Sequence, residues 1–251
     1  MKTYPRTRPS FLRFAAAGTL TAAGLFAAPV HALDLVTEDN APFNYADGPH
    51  VGGFSTEILQ EMGKRANVPM KFQVLPWARA YQSALSLPDT CVYSTVKLPE
   101  REALFKWVGP LTVNKWALFA RSDFNRQLKS IEDAKRYRIG GVTMDAKAMY
   151  LKSLGFTSID LVGDDNLNLA KLIAGRIDLW ISGLYKGKES AAQVGSKTVK
   201  PVMIVREVDY YLACNPKTAD GTIASLTHAL GALQKEGFVK SVADRYADRT
   251  Q

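Results

Sequence analysis

Short apolar runs alternate with segments of helical periodicity twice along the chain, and this alternation is the strongest constraint on its fold. The first series, from Leu33, predicts strand, helix, strand, helix and strand in LDLVTED, FSTEILQEMGKRA, MKFQVLP, WARAYQSALSL and TCVYSTV. The second series has the same order in RYRIGGV, AKAMYLKSLGF, SIDLV, NLNLAKLIAGR and IDLWISG. Strands that alternate with helices are typical of layered α/β proteins. A single open sheet would have to contain both complete strand-helix series. We therefore predict two Rossmann-like α/β lobes.

Two extended apolar segments follow the two series, and we interpret them as crossovers between the lobes. WALFARSD follows the first series, and VDYYLACNP follows the second. They predict two strands that carry the chain out of the first lobe and back again. We therefore assign residues 33–115 and 208–251 to lobe 1 and residues 116–207 to lobe 2, joined by two hinge crossovers. The helical ending TIASLTHALGALQKEGFVKSVADRYA is expected to pack on lobe 1.

Residues 1–32 have the pattern of a secretory signal peptide. A start with four cations and no acid is followed by an apolar run at 14–28 and by the small-residue signal Val30-His31-Ala32. The apolar run is too short and too rich in Ala and Gly for a good membrane span. We expect cleavage after Ala32 and export to the periplasm. Removal of this segment lowers the formal net charge from +8 to +4.

The charge pattern of the mature chain argues against a nucleic-acid partner. Its Lys and Arg residues are scattered and often stand beside acids, as in KSIEDAKRYR. A nucleic-acid-binding surface would need these cations in a patch or stripe. We expect a mildly basic monomer that binds a small molecule.

Cysteine and histidine are too scarce for most catalytic or metal chemistry. Cys91 and Cys214 form either one disulfide, which suits an oxidising compartment, or two buried free thiols. His50 and His228 are the histidines of the mature chain, and neither lies near a cysteine in sequence. A cysteine nucleophile and a zinc site are therefore not expected. We expect no cofactor.

The ends of the predicted parallel strands mark a ligand site. Ligands of open α/β sheets bind beyond the carboxyl ends of the strands, and a cleft between lobes is the default pocket. The residues that follow the strands lie at 38–43, 76–79, 94–101, 143–146 and 182–184. They include two aromatic residues, two arginines and a hydroxyl group, namely Phe43, Trp77, Arg79, Arg101 and Ser94. Apolar faces with a planar fork of donors suit a small anionic ligand.

Several motifs in this order resemble the periplasmic solute-binding proteins of family 3, the polar amino-acid binding components of ABC importers. EDNAPFNYADGPHVGGFSTEIL is similar to the opening of that family, and STVKLPEREALFKWVGPL to its serine followed by a proline-glutamate-arginine turn. IGGVTMDA, AGRIDLWISG and QKEGFVKSVADRY are similar to its later motifs. The resemblance implies a type II periplasmic binding fold that closes on its ligand and presents it to an inner-membrane ABC permease.

The resemblance also implies roles for individual residues. Arg101 corresponds to the arginine that binds the ligand's carboxylate, with Ser94 as a supporting hydroxyl. Phe43 and Trp77 stand where the family places aromatic faces. The stretch from Thr143 through Asp145 to Ala146 corresponds to a loop at a helix N-terminus whose backbone N–H groups bind the same carboxylate. Asp145 could instead serve only as the cap of that helix.

Two departures from the family pattern bear on the ligand. Met144 replaces a usual glycine, and Gly183 stands where amino-acid binders generally have an aspartate for the ligand's ammonium group. Either the ligand has no α-ammonium group, or Glu38, Asp39 or Asp145 supplies the countercharge. Arg79 would favour a more negative ligand if it faces the cleft, although a solvated surface position is equally compatible with its sequence context.

Three classes of function fit these observations. The first is an importer's binding protein for a small carboxylate-bearing solute, an amino acid or a related organic acid. The second is a periplasmic enzyme on the same scaffold, in which Glu38 or Asp39 serves as acid or base, as in dehydratases related to the family. The third is a sensor subunit that transmits ligand-driven closure to a membrane receptor. We expect a binding protein rather than an enzyme.

Overall fold

A computed structural model describes residues 1–2, 32–195 and 197–247 of the chain. The predicted signal peptide lies outside this part of the chain, apart from its first two residues and Ala32. The structure has a mixed α/β fold with ten strands and seven helices among the described residues.

One large sheet of eight strands runs through the molecule in the order β4-β1-β5-β10-β6-β9-β7-β8. Its strands are β1 (Leu33–Thr37), β4 (Met70–Val74), β5 (Thr90–Thr95), β6 (Lys106–Arg121), β7 (Ile139–Val142), β8 (Ile159–Val162), β9 (Leu179–Gly183) and β10 (Val199–Cys214). A small hairpin consists of β2 (Tyr45–Asp47) and β3 (His50–Gly52). The strands β4, β1 and β5 pair in parallel at one end of the sheet, and β9, β7 and β8 do so at the other.

The two halves share the long antiparallel strands β6 and β10. One part of β10 pairs with β5, and one part of β6 pairs with β9. The sequence argued against a single sheet, but the hydrogen-bonded ladder is continuous, because these two 16-residue strands belong to both halves. They are also longer than the predicted crossover segments. The lobe boundaries after residues 115 and 207 remain a prediction.

Seven helices cover the faces of the sheet. They are α1 (Phe54–Ala66), α2 (Trp77–Ser86), α3 (Ala146–Ser153), α4 (Asp165–Ile173), α5 (Leu184–Gln193), α6 (Asp220–Lys235) and α7 (Phe238–Ala247). Among them, α1 has the bounds that its apolar spacing predicts. The helices α6 and α7 pack against α1, and Leu226, Leu230 and Leu233 join the same apolar core as Leu35 and Ile58.

A disulfide joins the central strands of the first half of the sheet. Cys91 on β5 and Cys214 on β10 are register partners, and the structure pairs them in a disulfide. Both residues are fully buried in the core next to Leu35 and Tyr93. The bond therefore fixes the start of β5 to the end of β10.

Candidate ligand-binding site

A cavity lies where the two halves of the sheet meet, and we call it the interlobe cavity. Its lining comprises Glu38, Trp77, Ser94, Thr95, Val96, Arg101, Trp116, Asp145, Ala146, Lys147 and Tyr210. Its volume is about 10 Å³, which is space for about one water molecule. The two halves are thus closed on each other, and a ligand of several atoms can reach this cavity only when they move apart.

Arg101 lies at the centre of this closure and is only 1% exposed. Its Nη2 donates to the carbonyl oxygen of Met144 at 2.7 Å, and its Nη1 donates to Thr95 Oγ1 at 3.3 Å. The guanidinium carbon lies 4.8 Å from the ring centre of Tyr81 and 5.6 Å from that of Trp77. Burial lowers the pKa of Arg101, although nearby acids oppose this effect. Since arginine is not deprotonated in proteins, the cavity contains a fixed positive charge.

Arg101 forms no ion pair with any residue that the structure describes, and its Nε has no hydrogen-bond partner among them. A short 3-10 turn at Pro99–Leu104 places it there, and the turn begins with a bond from Arg101 N to Leu98 O at 2.9 Å. The proline-glutamate-arginine sequence therefore directs an arginine inward from a loop. A buried cation without a carboxylate partner is ready to bind an anion.

Two residues beside Arg101 have left-handed backbone conformations. Ser94 has φ 55° and Met144 has φ 61°, and neither is a glycine. Such conformations cost free energy and are found preferentially at functional sites. The Oγ of Ser94 is buried and has no hydrogen-bond partner among the described residues. Ser94 thus offers a hydroxyl group to the cavity, and the family's usual glycine at position 144 is explained by the backbone conformation there.

Asp145 and Lys147 form a buried pair at the start of α3. Asp145 caps the helix, with its carboxylate accepting from Lys147 N at 2.7 Å and from Lys147 Nζ at 2.9 Å. Burial acts to lower the pKa of Lys147, but the charges of Asp145, Glu38 and Asp165 outweigh it and raise that pKa. Lys147 therefore remains positively charged. The anion-binding end of α3 is already occupied in part by the protein's own carboxylate.

Glu38 lines the cavity opposite this pair, directly after β1. Burial raises the pKa of Glu38 to about 8, an effect that Lys147 opposes and that Asp145 and Asp165 reinforce. At neutral pH the carboxyl group is therefore mostly protonated. A protonated carboxyl group can donate a hydrogen bond, whereas it offers a ligand ammonium group little countercharge.

The predicted site residues divide into two sets in the structure. Six line the interlobe cavity, namely Glu38, Trp77, Ser94, Arg101, Asp145 and Ala146. Trp77 also donates from Nε1 to the carbonyl of Met144 at 2.9 Å, so two side chains of the first half bind one carbonyl oxygen of the second.

Four predicted residues lie outside the cavity lining. Phe43 is buried in the apolar core, where its ring centre is 5.1 Å from that of Tyr210. Arg79 and Thr143 are exposed. Asp39 is exposed and pairs with Lys186 at 3.1 Å across the outer edge of the cleft. The second cation next to Arg101 is thus Lys147 rather than Arg79.

The sequence prediction did not include Trp116, Lys147 or Tyr210 of the lining, and it included Thr95 and Val96 only as part of the range 94–101. Thr95 and Val96 directly follow Ser94, within the range predicted to face the cleft. Trp116 and Tyr210 lie on the crossover strands, which the sequence analysis treated as connections only. Lys147 lies one residue past the predicted loop, and a capping aspartate two residues before it is the signal that could have identified it.

Among the described residues, no group of three or more His, Cys, Asp or Glu side chains could hold a metal ion. In the same part of the chain, no helix has the length and apolar character needed to cross a membrane.

Comparison with known proteins identifies the family. The model of the bacterial extracellular solute-binding proteins, family 3, matches residues 34–249. No curated protein sequence matches the chain. Solved structures with less than 20% identity show the same fold.

One similar structure is a histidine kinase sensor domain with similarity to periplasmic binding proteins, with a TM-score of 0.78, 17% identity and coverage of 86% of this chain and 95% of that one. A second is an ancestral arginine-binding protein bound to arginine, with a TM-score of 0.75, 18% identity and coverage of 86% and 97%. A third is an ancestral amino-acid-binding protein, a precursor of cyclohexadienyl dehydratase, with a TM-score of 0.71, 16% identity and coverage of 86% and 94%. The family match confirms the resemblance found in the sequence: the chain belongs to the bacterial extracellular solute-binding proteins, family 3.

Proposed function

We propose that this protein is the periplasmic binding component of an ABC importer and captures a small carboxylate-bearing solute by lobe closure. The observation that carries the proposal is Arg101, which is 1% exposed, faces a cavity between two halves of the sheet and forms no ion pair with a described residue. Arginine binds carboxylates with two parallel hydrogen bonds, and desolvation makes these bonds stronger than those of exposed pairs. Solved relatives of the fold are described as bound to arginine, glutamine or glutamate, all of which carry a carboxylate.

The ligand docks first on the half of the sheet that carries Arg101. Its carboxylate takes the place of the Met144 carbonyl on the guanidinium, with Ser94 Oγ as a further hydrogen-bond donor. The indole of Trp77 lies against the guanidinium, with its ring centre 5.6 Å from the guanidinium carbon. Closure then brings the start of α3 against the ligand and excludes water. A permease that recognises the closed form would receive loaded protein in preference to unloaded protein.

The proposal includes export by the signal peptide, with cleavage after Ala32, and a monomer without a nucleic-acid partner. It also includes binding without turnover. Turnover is tested by incubating the purified protein with candidate hydroxy acids and amino acids. Mass spectrometry of the small molecules in the mixture then detects any product. The appearance of a dehydrated product would identify an enzyme instead.

Titration calorimetry tests the role of Arg101. The protein is purified without refolding, and native mass spectrometry identifies any carboxylate that co-purifies or binds from a panel of amino, hydroxy and dicarboxylic acids. Arg101→Lys keeps the charge but loses the planar fork, so we expect affinity for the best panel ligand to fall about 100-fold.

Arg79→Lys is the matched control, because Arg79 is exposed and lies outside the cavity lining. This variant should bind as the wild type does. Equal affinities of the wild type and Arg101→Lys for the bound carboxylate would contradict the proposal. Binding by uncharged panel members alone would do the same.

A further inference from the structure

The place of the family's ammonium-binding aspartate is filled by a neutral side chain in this protein. A Cβ atom at Gly183 would lie 2.9 Å from Asn114 Nδ2. Asn114 is 1% exposed and fixed, because its Nδ2 donates to the Tyr210 hydroxyl at 2.6 Å and its Oδ1 accepts from Lys115 N at 2.8 Å. A side chain at position 183 would meet this fixed amide, and the amide supplies no negative charge.

The other acids near the cavity are already engaged. Asp39 pairs with Lys186 at 3.1 Å and is exposed at the outer edge of the cleft. Asp145 is bonded to Lys147 through both of its oxygens. Glu38 is the remaining acid of the lining. Because burial raises its pKa to about 8, it is mostly uncharged at neutral pH. Within the described residues, no lining carboxylate is left to pair with an ammonium group of the ligand.

Lys147 brings an ammonium group of its own into the cavity. The residue is 9% exposed, lines the cavity, and interacts electrostatically with Asp145, Glu38 and Asp165. Asp145 is thus already paired with a cation that the protein itself supplies. A second ammonium group in contact with Lys147 would be repelled, and the repulsion is strong where water is excluded.

We infer that Lys147 takes the place of the ligand's ammonium group and is the residue that determines specificity, so that the protein selects carboxylates without an α-ammonium group. The inference rests on the proposed function and narrows its ligand class to acids such as 2-hydroxy and 2-oxo acids. Arg101 binds the carboxylate. The ammonium group of Lys147 has three N–H donors and gives one of them to Asp145. It can donate another to the hydroxyl or keto oxygen on the ligand's second carbon.

Matched ligand pairs test the inference on the wild-type protein. Titration calorimetry at neutral pH compares lactate with alanine, malate with aspartate, and 2-hydroxyglutarate with glutamate, each pair differing in the group on the second carbon. For each pair in which at least one acid binds, we expect the hydroxy acid to bind at least about tenfold more tightly than the amino acid. Equal or tighter binding of the amino acid overturns the inference and leaves the proposed function standing. Failure of every carboxylate, amino or hydroxy, overturns the proposed function itself.

Substitution of Lys147 tests whether this side chain is responsible. Lys147→Gln removes the ammonium group and leaves Asp145 and Glu38 facing the ligand. We expect the preference for the hydroxy acid to fall by about tenfold or to reverse. Lys147→Arg keeps a cation at the position and should retain the preference. Because each preference is a ratio of affinities within one folded variant, reduced stability does not obscure it. An unchanged preference in Lys147→Gln overturns the assignment of Lys147, and the wild-type titrations decide the ligand class even if both variants fail to fold.

Discussion

The two halves of the sheet each place one buried cation in the interlobe cavity, and the two cations are held in different ways. Arg101 is surrounded by the rings of Tyr81 and Trp77 and donates to a backbone carbonyl, without an ion pair to a described residue. Lys147 is bonded to Asp145 at 2.9 Å, within reach of further acids. One cation is in contact with aromatic rings and a backbone carbonyl group, and the other is paired with a carboxylate.

This difference separates binding from selection. Transfer of a charge from water into protein is costly unless a partner compensates it. Lys147 obtains that compensation within the protein, so its contribution to folding does not need a ligand. Arg101 has little compensation of its charge within the protein, so a carboxylate that binds it interacts strongly with a desolvated guanidinium. The cation without an ion pair to a described residue is therefore the one that we expect to bind the ligand.

Among the lysine and arginine substitutions compared at a single pH, loss of Lys147 should have the largest effect on stability. Lys147→Met leaves Asp145 buried without its cation, so we expect the free energy of unfolding to fall by about 3 kcal/mol. Urea denaturation followed by circular dichroism measures this quantity. In Asp145→Asn/Lys147→Met neither charge remains, and most of the loss should be recovered.

Lys188→Met is the matched control, because Lys188 is an exposed lysine of α5. A change of less than about 0.5 kcal/mol is expected there. If the free energy of unfolding of Lys147→Met also changes by less than about 0.5 kcal/mol, Asp145 does not need Lys147 to compensate its buried charge. The comparison between the two cations would then be wrong.

Glu38 provides a pH test of the same cluster. Burial raises the pKa of Glu38 from 4.5 to about 8, so the folded protein holds a proton that the unfolded chain releases between these values. The contribution of Glu38 to stability is therefore fully present below about pH 4.5 and is lost as the pH rises through about 8. Glu38→Gln cannot ionise, and its stability relative to the wild type should rise across this window by on the order of 3 kcal/mol. Urea denaturation of both proteins at several pH values from about 5 to 8.5 measures the difference; parallel curves would show that Glu38 is ionised throughout.

Most of the fold could be predicted from the sequence, because its helices and strands have clear apolar periodicity. The helix α1 shows this well, with Phe54, Ile58 and Met62 on its buried face. The helix α5 was missed for a physical reason. Its buried residues are Gly187, Ser190 and Ala191, since a Cβ atom at Gly187 would lie 2.2 Å from the ring of Phe119. A helix that packs so closely needs small residues, and small residues leave no apolar pattern.

The candidate site could be predicted only in part, because sequence motifs mark one half of it. Arg101 and Ser94 stand in a turn motif and at a strand end, and the structure places both in the cavity lining. Lys147 stands outside these motifs, although it follows the capping Asp145 by two residues. Its burial depends on where Glu38, Tyr210 and Asp165 lie, and these residues come from three other elements of the fold. The sequence left a pocket position and a surface position equally open for Arg79, and its exposed position on α2 favours the surface.

Loss of Arg101 should have the smallest effect on stability and the most informative one. Arg101→Met replaces a desolvated charge without an ion pair by an apolar side chain of similar length. The Met144 carbonyl still accepts from Trp77 Nε1 at 2.9 Å, so the substitution does not leave it without a partner. The substitution also removes the cost of keeping a charge out of water, which for Arg101 no ion pair with a described residue offsets. We therefore expect the free energy of unfolding to stay constant or to rise by up to about 1 kcal/mol, while binding of carboxylates is lost in calorimetry. A loss of about 3 kcal/mol, as expected for Lys147→Met, would show that Arg101 is mainly a structural residue, and the distinction between the two cations would disappear.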